Sequence, residues 1–451
     1  MSLSMIIWRV PCNKKQKYNQ MKKIIQSTLY ISIAALLINA TGCKKDFANP
    51  TAATSAQVLG SAKGLAGVAV GLQRTYASNV AYGMSDATGL ITGETILLNA
   101  GNTSEFQFST GGTAVDGTNA LLGNVWASAN KIIYDANNVI AGARLLTDKG
   151  YASGLIGYAT IYKALSIGCQ SSYWEKVPDT VGITATTFSD RLVGYAKAIA
   201  AIDKALVTIS ANAVSSSFLS DIPAGVDIVN TLNALKARYS LFAGNYAAAL
   251  IAANAVDLTK KSVMNFEAAN PNPIYNFVTS TNNVYQPIDS TLGLPASLAP
   301  GLADKRIPFY TQINPTINPR FRLNGFWITA TTAIPLYFPG EISLIKAECY
   351  ARQSTPDLAT ATTELNKIVT KKAAADPLGI GADLPAVAPA TIPDLLTEIY
   401  KNRCIELYLS GLKLEDMRRF SRPNSERKRN LFPYPFRERD GNSNTPADPS
   451  F

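Results

Sequence analysis

Histidine is absent from the whole chain of 451 residues, and cysteine occurs only five times. Without an imidazole there is no Ser-His-Asp or Cys-His nucleophile activation, no histidine general base and no His-containing zinc site. Three cysteines, Cys169, Cys349 and Cys404, follow Cys43, and an odd number in an exported chain argues against a disulfide framework. No pair of them has CxxC spacing, and they lie in apolar stretches beside Ile167, Ile345 and Ile405. They read as small buried hydrophobes, and no metal or cofactor is expected. Acidic residues are missing from positions 1–42, which carry Arg9, Lys14, Lys15, Lys17, Lys22 and Lys23. Of the formal net charge of +10 the remainder therefore holds only +4, so nucleic acid is not an expected partner. With 47% hydrophobic and 16% charged positions the chain is globular, neither disordered nor fibrous.

A long apolar run is missing too. From Met21 the chain reads MKKIIQSTLYISIAALLINATGC. Its apolar part, around Leu29 to Ile38, is about ten residues against the roughly 20 needed to span a bilayer. Two lysines, an apolar stretch and then small residues are the order of a secretory signal over 21–42. Ala40-Thr41-Gly42-Cys43 resembles a bacterial lipobox with Ala40 where Leu is usual, and makes Cys43 the expected site of lipid attachment. Residues 1–20 carry no targeting logic and are set aside as a mis-assigned or added start. Residues 43–55, rich in Ala, Thr and Ser, read as a tether, and 56–451 as a single domain.

Helical periodicity dominates that domain. Trp126, Ala129, Ile133, Ala136 and Ile140 share one face, as do Leu155, Tyr158, Tyr162, Leu165 and Cys169. Leu192, Tyr195, Ile199, Ile202, Leu206 and Ile209 hold a third, with Ser189 and Asp190 available as caps. ALKARYSLFAGNYAAALIAA reads as a helical hairpin turned at Gly244, in the manner of a tetratricopeptide-like repeat. A second hairpin follows Pro339: Ile342, Ile345 and Cys349, then a helix opened by Thr355-Pro356. A last helix over Leu396, Ile399, Cys404 and Leu407 is expected to stop at Gly411, before a polar tail. Between them, residues 258–335 lose periodicity and gain Pro, Asn and aromatics, which predicts an ordered irregular insert with short strands. The expected fold is mostly α, a superhelix of tetratricopeptide-like helical hairpins carrying that insert.

Several segments then carry a resemblance. IYKNRCIELYLSGLKLEDMRRF, with Arg403, Glu406, Gly411, Asp416, Arg418 and Arg419, resembles a hallmark of the SusD/RagB family of outer-membrane nutrient-binding lipoproteins of Bacteroidetes-type bacteria; Ser410 stands where that family usually has Glu. YFPGEISLIKAECYAR with ATTELNKIV is similar to the family's paired helices through Glu341, Ala347, Glu348, Leu365 and Asn366. VWASANKIIYDANNVI resembles the family's N-terminal signature through Trp126, Ile133, Ala136 and Asn137, Trp174 to Pro178 stands where the family has a short Gly-Asp-x-Pro turn, and Asp304-Lys305-Arg306 is similar to its Asp-Pro-Arg, so the likeness runs from Cys43 to about Arg419. It implies four tetratricopeptide-like hairpins, a lipid anchor at the cell surface of the outer membrane, and a SusC-like TonB-dependent transporter as partner.

The carboxylates near the hallmark read as structural. Glu406 and Asp416 sit among arginines, where acids are paired more often than catalytic, although a glycosidase would need two such groups. Glu341 and Glu348 have the same reading, and no enzyme activity is expected. The insert offers the ligand-binding candidates, because a sugar presents an apolar C–H face and a hydroxyl rim to flat rings flanked by polar side chains. Phe326 and Trp327 beside Arg322 and Asn324, and Tyr285 beside Asn283, have that composition. The expected function is capture of a glycan or oligosaccharide and its delivery to the transporter. Capture of peptides on the same scaffold, and an envelope protein–protein scaffold without a small ligand, are the alternatives.

Overall fold

A computed structural model describes residues 18–28, 55–278 and 283–450. Residues 18–28, the end of the segment set aside and the first part of the expected leader, form an exposed helix within the N-terminal unit Met1–Thr54. Cys43, the rest of the leader and the tether lie outside the described residues. No helix among the described residues is long and apolar enough to cross a membrane.

The second unit, from Ser55 onward, is mostly helical. Short polar side chains set where its helices begin by accepting otherwise orphaned N–H groups. α1 (Ala62–Thr75) is capped by Ser61, whose hydroxyl accepts from the Gly64 N–H at 3.1 Å. It runs through a π-helical turn, Tyr76–Ala81, into α2 (Tyr82–Ile91), and α3 (Thr103–Thr110) follows. Asn119 caps α4 (Ala120–Leu145), Asp148 caps α5 (Lys149–Tyr173) and Asp190 caps α6 (Arg191–Ala211). Asp227 starts α7 (Ile228–Phe242), and Gly244, at φ 76°, turns the chain into α8 (Tyr246–Asn254). That positive φ is why glycine stands at the hairpin tip.

α9 (Pro339–Arg352) opens on a proline whose missing N–H costs nothing in a first turn. α10 (Leu358–Val369) begins at Asp357 rather than at Thr355-Pro356, because the Asp357 carboxylate accepts from the Thr360 N–H at 3.0 Å. α11 (Ile392–Glu406) is capped by Thr391. It stops at Glu406, five residues before the expected Gly411: Leu409 at φ 55° and Gly411 at φ 83° reverse the chain into α12 (Lys413–Arg419). From α4 to α11 each helix packs on its successor in the chain.

Two stretches depart from the expected pattern. Helices also fill residues 62–91 and 103–110: α1 buries one face through Leu65, Ala66, Ala69 and Leu72, whereas α2 is buried all round and carries no stripe. The polar tail is anchored: Phe432 and Tyr434 are buried, and the Pro433 carbonyl accepts from Trp174 Nε1 at 2.8 Å.

The insert is ordered by three short antiparallel pairings. β1 (Ile96–Leu97) takes β5 (Tyr285–Gln286), with Leu97 opposite Tyr285. β4 (Val263–Met264) takes β8 (Ile334–Pro335), and β6 (Thr311–Ile313) takes β7 (Phe321–Leu323). A separate pair, β2 (Lys176–Pro178) with β3 (Phe188–Asp190), leads into α6. The strands are too short to stand alone, so the insert depends on its side chains for attachment.

The helices approach most closely where one side lacks a Cβ. A Cβ built on Gly168 of α5 would lie 2.3 Å from the buried Tyr239 ring of α7. Gly168→Ala should lower unfolding stability by about 1–3 kcal/mol through overpacking, read as a drop in the urea midpoint. An unchanged midpoint would show that the α5–α7 contact can spread.

Candidate functional site

A cavity of about 540 Å³ opens between the π-helical turn and the first part of the insert. One wall is Gln73 and Arg74 at the end of α1, Ala77 and Ser78 in the π-turn, and Tyr82 at the start of α2. The extra residue per turn of a π segment rotates the side chains that follow it, a feature common at functional sites. The opposite wall is Met264 to Phe277, including Phe266, Glu267, Asn270 and Asn276, with Pro223 at the edge.

Its aromatic floor is fixed from below. The Tyr82 and Phe277 rings lie 4.7 Å apart at 30°, and Phe277 and Phe266 are half-buried. The Tyr82 hydroxyl donates to Asp86 Oδ2 at 3.2 Å, and burial followed by Asp86 pushes its pKa far up, so it stays a phenol. Asp86 is itself fully buried beside Glu105. Burial first, then the Glu105 carboxyl, raise the Asp86 pKa well above the ordinary carboxylate value.

The rim is polar. Gln73 accepts from the Tyr158 hydroxyl through Oε1, and its amide nitrogen has no partner among the described residues. Asn265 Nδ2 donates to the Ala224 carbonyl at 2.7 Å, and Asn270 Nδ2 to Glu267 Oε1 at 2.8 Å. Arg74 is exposed and forms no ion pair among the described residues.

The six ligand candidates from the sequence lie elsewhere. Trp327 and Phe326 are buried, at 3% and 7% exposure, and Tyr285 at 0%, so none presents a ring face to solvent. Their hydrophobic area is used to plug the insert onto the helices. Trp327 stacks on Tyr310 at 6.0 Å and meets Tyr408, and Phe326 meets Phe309 and Phe338 at 5.3 and 5.9 Å. Phe326 and Trp327 do border a nearly closed cavity of about 60 Å³, room for about two waters rather than a sugar ring. Arg322 Nη1 reaches Asn283 Oδ1 at 3.5 Å, an oxygen that also accepts from Gln286. Asn324 donates separately to the Pro308 carbonyl at 3.1 Å. The structure thus joins Arg322 to Asn283, and Phe326 to Trp327, but places none of the six on the larger cavity.

The paired acids also have fixed partners. Glu406 is held by Arg306 at 3.4 Å and by Lys371, and Asp416 by Arg403 at 2.9 Å and Arg419 at 2.6 Å. Burial raises the Asp416 pKa, but the two guanidiniums outweigh it and hold it below the ordinary value.

The residues that sequence reasoning passed over are Gln73 and Arg74, at the end of α1, and Tyr82, at the start of α2, a helix buried all round. Phe266 and Phe277 belong to the same Asn- and Pro-rich stretch, NFEAANPNPIYNF, and that composition was the available signal.

Asp86 predicts a pH dependence. Its folded value lies above its unfolded one, so its contribution to stability is complete below the ordinary carboxylate range and is lost as pH rises toward the folded value. Asp86→Asn keeps the hydrogen-bonding groups without the titrating proton. It should match the wild type near about pH 4 and gain on it as pH rises, measured by urea midpoints; an advantage that shrinks with pH would contradict the assignment.

No protein-family model matches the chain, and no curated protein does. Solved structures do. A SusD homolog from Bacteroides thetaiotaomicron superposes with a TM-score of 0.70 over 88% of this chain and 99% of its own, at 12% identity. NanU of Bacteroides fragilis gives 0.67 over 89% and 99%, also at 12% identity. A SusD-like carbohydrate-binding protein of Bacteroides fragilis gives 0.63 over 81% and 87%, at 14% identity. At these identities the likeness is one of architecture, and by that measure the chain has the SusD-like helical fold.

Proposed function

We propose that the chain is a non-enzymatic carbohydrate-capture lipoprotein, anchored through Cys43 at the outer-membrane surface, which passes an oligosaccharide to a TonB-dependent transporter. The observation that carries it is the cavity at the π-turn. Its volume of about 540 Å³ falls in the range of small-ligand sites. Phe266 and Phe277, over the buried Tyr82 ring, offer apolar faces to sugar C–H groups, while Gln73, Arg74, Asn265 and Asn270 surround them with hydrogen-bonding groups for hydroxyls. Binding by such contacts needs no covalent step. One of the structures sharing the fold is described as a carbohydrate-binding protein, which supports the ligand class. Anchor and transporter rest on the leader and the motif likeness.

A peptide is the second reading, on one observation: Arg74 and Glu267 line the same cavity with opposite charges, as the two ends of a short peptide would require.

The ligand test is an array of oligosaccharides and short peptides probed with the purified chain, followed by titration of the hits. Phe277→Ala should weaken a carbohydrate hit about tenfold, the worth of roughly 1.4 kcal/mol of lost ring contact. Trp327→Ala should instead lower stability by about 3–5 kcal/mol and leave the affinity of the folded fraction unchanged. Peptide hits alone would move the second reading ahead. Loss of affinity at Trp327 with none at Phe277 would return the site to the buried rings.

Anchor and partner are tested in the native outer membrane. Cys43→Ala should release the chain from the membrane fraction, and mild-detergent extraction of the wild type should recover a large TonB-dependent barrel by mass spectrometry. Retention of Cys43→Ala, or recovery of unrelated envelope proteins only, would favour the interaction-scaffold alternative.

A further inference from the structure

Away from the π-turn cavity, a pocket of about 240 Å³ lies where α11 meets the ends of α9 and α12. Arg352, Arg419 and Arg422 line it, with Tyr400, Phe420 and Ser421. Each guanidinium rests on a ring: Arg352 and Arg419 are 4.8 and 5.3 Å from the Phe420 centre, and Arg422 is 5.2 Å from that of Tyr400. This stacking leaves the in-plane N–H groups free to meet acceptors.

Part of that capacity is spent on carboxylates. Arg352 Nε donates to Glu348 at 2.8 Å. Arg419 Nη1 donates to Glu348 at 2.6 Å and Nη2 to Asp416 at 2.6 Å. Arg422 donates to Glu426 from Nε, at 2.9 Å, and from Nη2. Nη1 of Arg352, Nε of Arg419 and Nη1 of Arg422 have no partner among the described residues, and the Arg419 nitrogen is buried. The exposed Ser421, at φ 51°, adds a hydroxyl without a partner among the described residues.

Charge points the same way. Arg403 shares Asp416, so four guanidiniums, those of Arg352, Arg403, Arg419 and Arg422, share the three carboxylates of Glu348, Asp416 and Glu426, and Arg427 adds a fifth positive charge that donates to the Arg422 carbonyl and to Asn424. Burial first, and then Arg418, pull Arg427 below the ordinary guanidinium value. The nearby Asp394 and Glu398 line separate clefts.

We propose that this pocket binds a small tetrahedral oxyanion, sulfate or phosphate, either as the free ion or as the ester group of a larger ligand. A tetrahedral anion has acceptors for donors arriving from three side chains, whereas a planar carboxylate serves one guanidinium fork well. Arg352 and Arg422 make the first contacts, and Arg419 backs them. The site is independent of the carbohydrate reading, and Phe277→Ala, which alters only the other cavity, serves as its control.

The experiment is calorimetric titration and thermal unfolding of the full chain with sodium sulfate and sodium phosphate, against sodium chloride at matched ionic strength. Sulfate or phosphate should bind saturably and raise the melting temperature beyond chloride. Arg352→Gln and Arg422→Gln should each weaken binding about tenfold or more, the loss of a charge-assisted hydrogen bond. Glu426→Gln should tighten it, because it releases Arg422 from its carboxylate; a merely structural role predicts no gain. Galactose 6-sulfate, titrated into the wild type and Arg422→Gln, separates the sources: binding tighter than inorganic sulfate and weakened by Arg422→Gln identifies an ester group, weaker binding the free ion. Shifts that equal those of chloride, or affinity unmoved in both Arg422→Gln and Glu426→Gln, overturn the proposal.

Discussion

Four carboxylates lie at the centre of the helical stack with almost no exposure: Glu341, Glu348 and Glu406 at 0% and Asp416 at 1%. Taking one guanidinium away from such a group leaves an uncompensated buried charge, at a cost of about 3–5 kcal/mol. The three glutamates are therefore tied to residues distant in the chain and Asp416 ties α12 to α11 through Arg403, and those ties decide which segments lie together. Arg238 of α7 grips Glu341 of α9 with bonds of 2.7 and 2.6 Å. Arg306 of the insert joins Asp304 at 2.7 Å, Asn402 at 2.9 Å and Glu406 of α11. Arg191 of α6 reaches Glu415 of α12 at 3.0 Å. A pairing of this kind adds little over a hydrophobic pair in the finished fold, but it penalises arrangements in which the partner is missing. Glycine is needed at the junction as well: a Cβ on Gly340 would lie 2.0 Å from Glu406 Oε1.

This network explains why so irregular an insert is ordered. Its strands contribute few backbone bonds, yet Arg306 fastens one end to α11, and the cluster of Tyr310, Phe326 and Trp327 packs against Tyr408 just beyond that helix. Asn272 then pins the loop, donating to the Phe326 and Thr332 carbonyls at 2.8 Å each. Polar side chains here replace the missing ladder, satisfying buried carbonyls that would otherwise be left without donors.

Much of this was legible in the sequence. A stripe repeating every three to four residues survives wherever a helix has one buried face, as in α4 and α6, and a cap such as Asp190 marks its start. The stripe vanishes in α2, which is buried on every side and admits Gly83 and Gly89 where neighbours come close. The structural reading of Glu406 and Asp416 was legible because acids amid arginines find partners there. The exposure of individual rings was not. Phe326, two residues after Asn324, and Phe277, directly after Asn276, look alike in local composition, but one is buried by Phe309 and Phe338 while the other is half-open to a cavity. Only long-range neighbours separate the two, and composition does not contain them.

That difference divides the insert into two working halves. Residues 306–335 spend their aromatic area on attachment, so substitution there is read mainly as lost stability. Residues 264–277 lean on that attachment through Asn272 and the β4–β8 pair, while Phe266, Asn270 and Phe277 keep part of their surface for the cavity. Opposite them, the π-turn is held by α1 and α2, helices whose inner faces are committed to the core. The cavity is therefore bounded largely by side chains that the core positions without consuming, and substitutions among them leave the buried charges on which the stack depends in place.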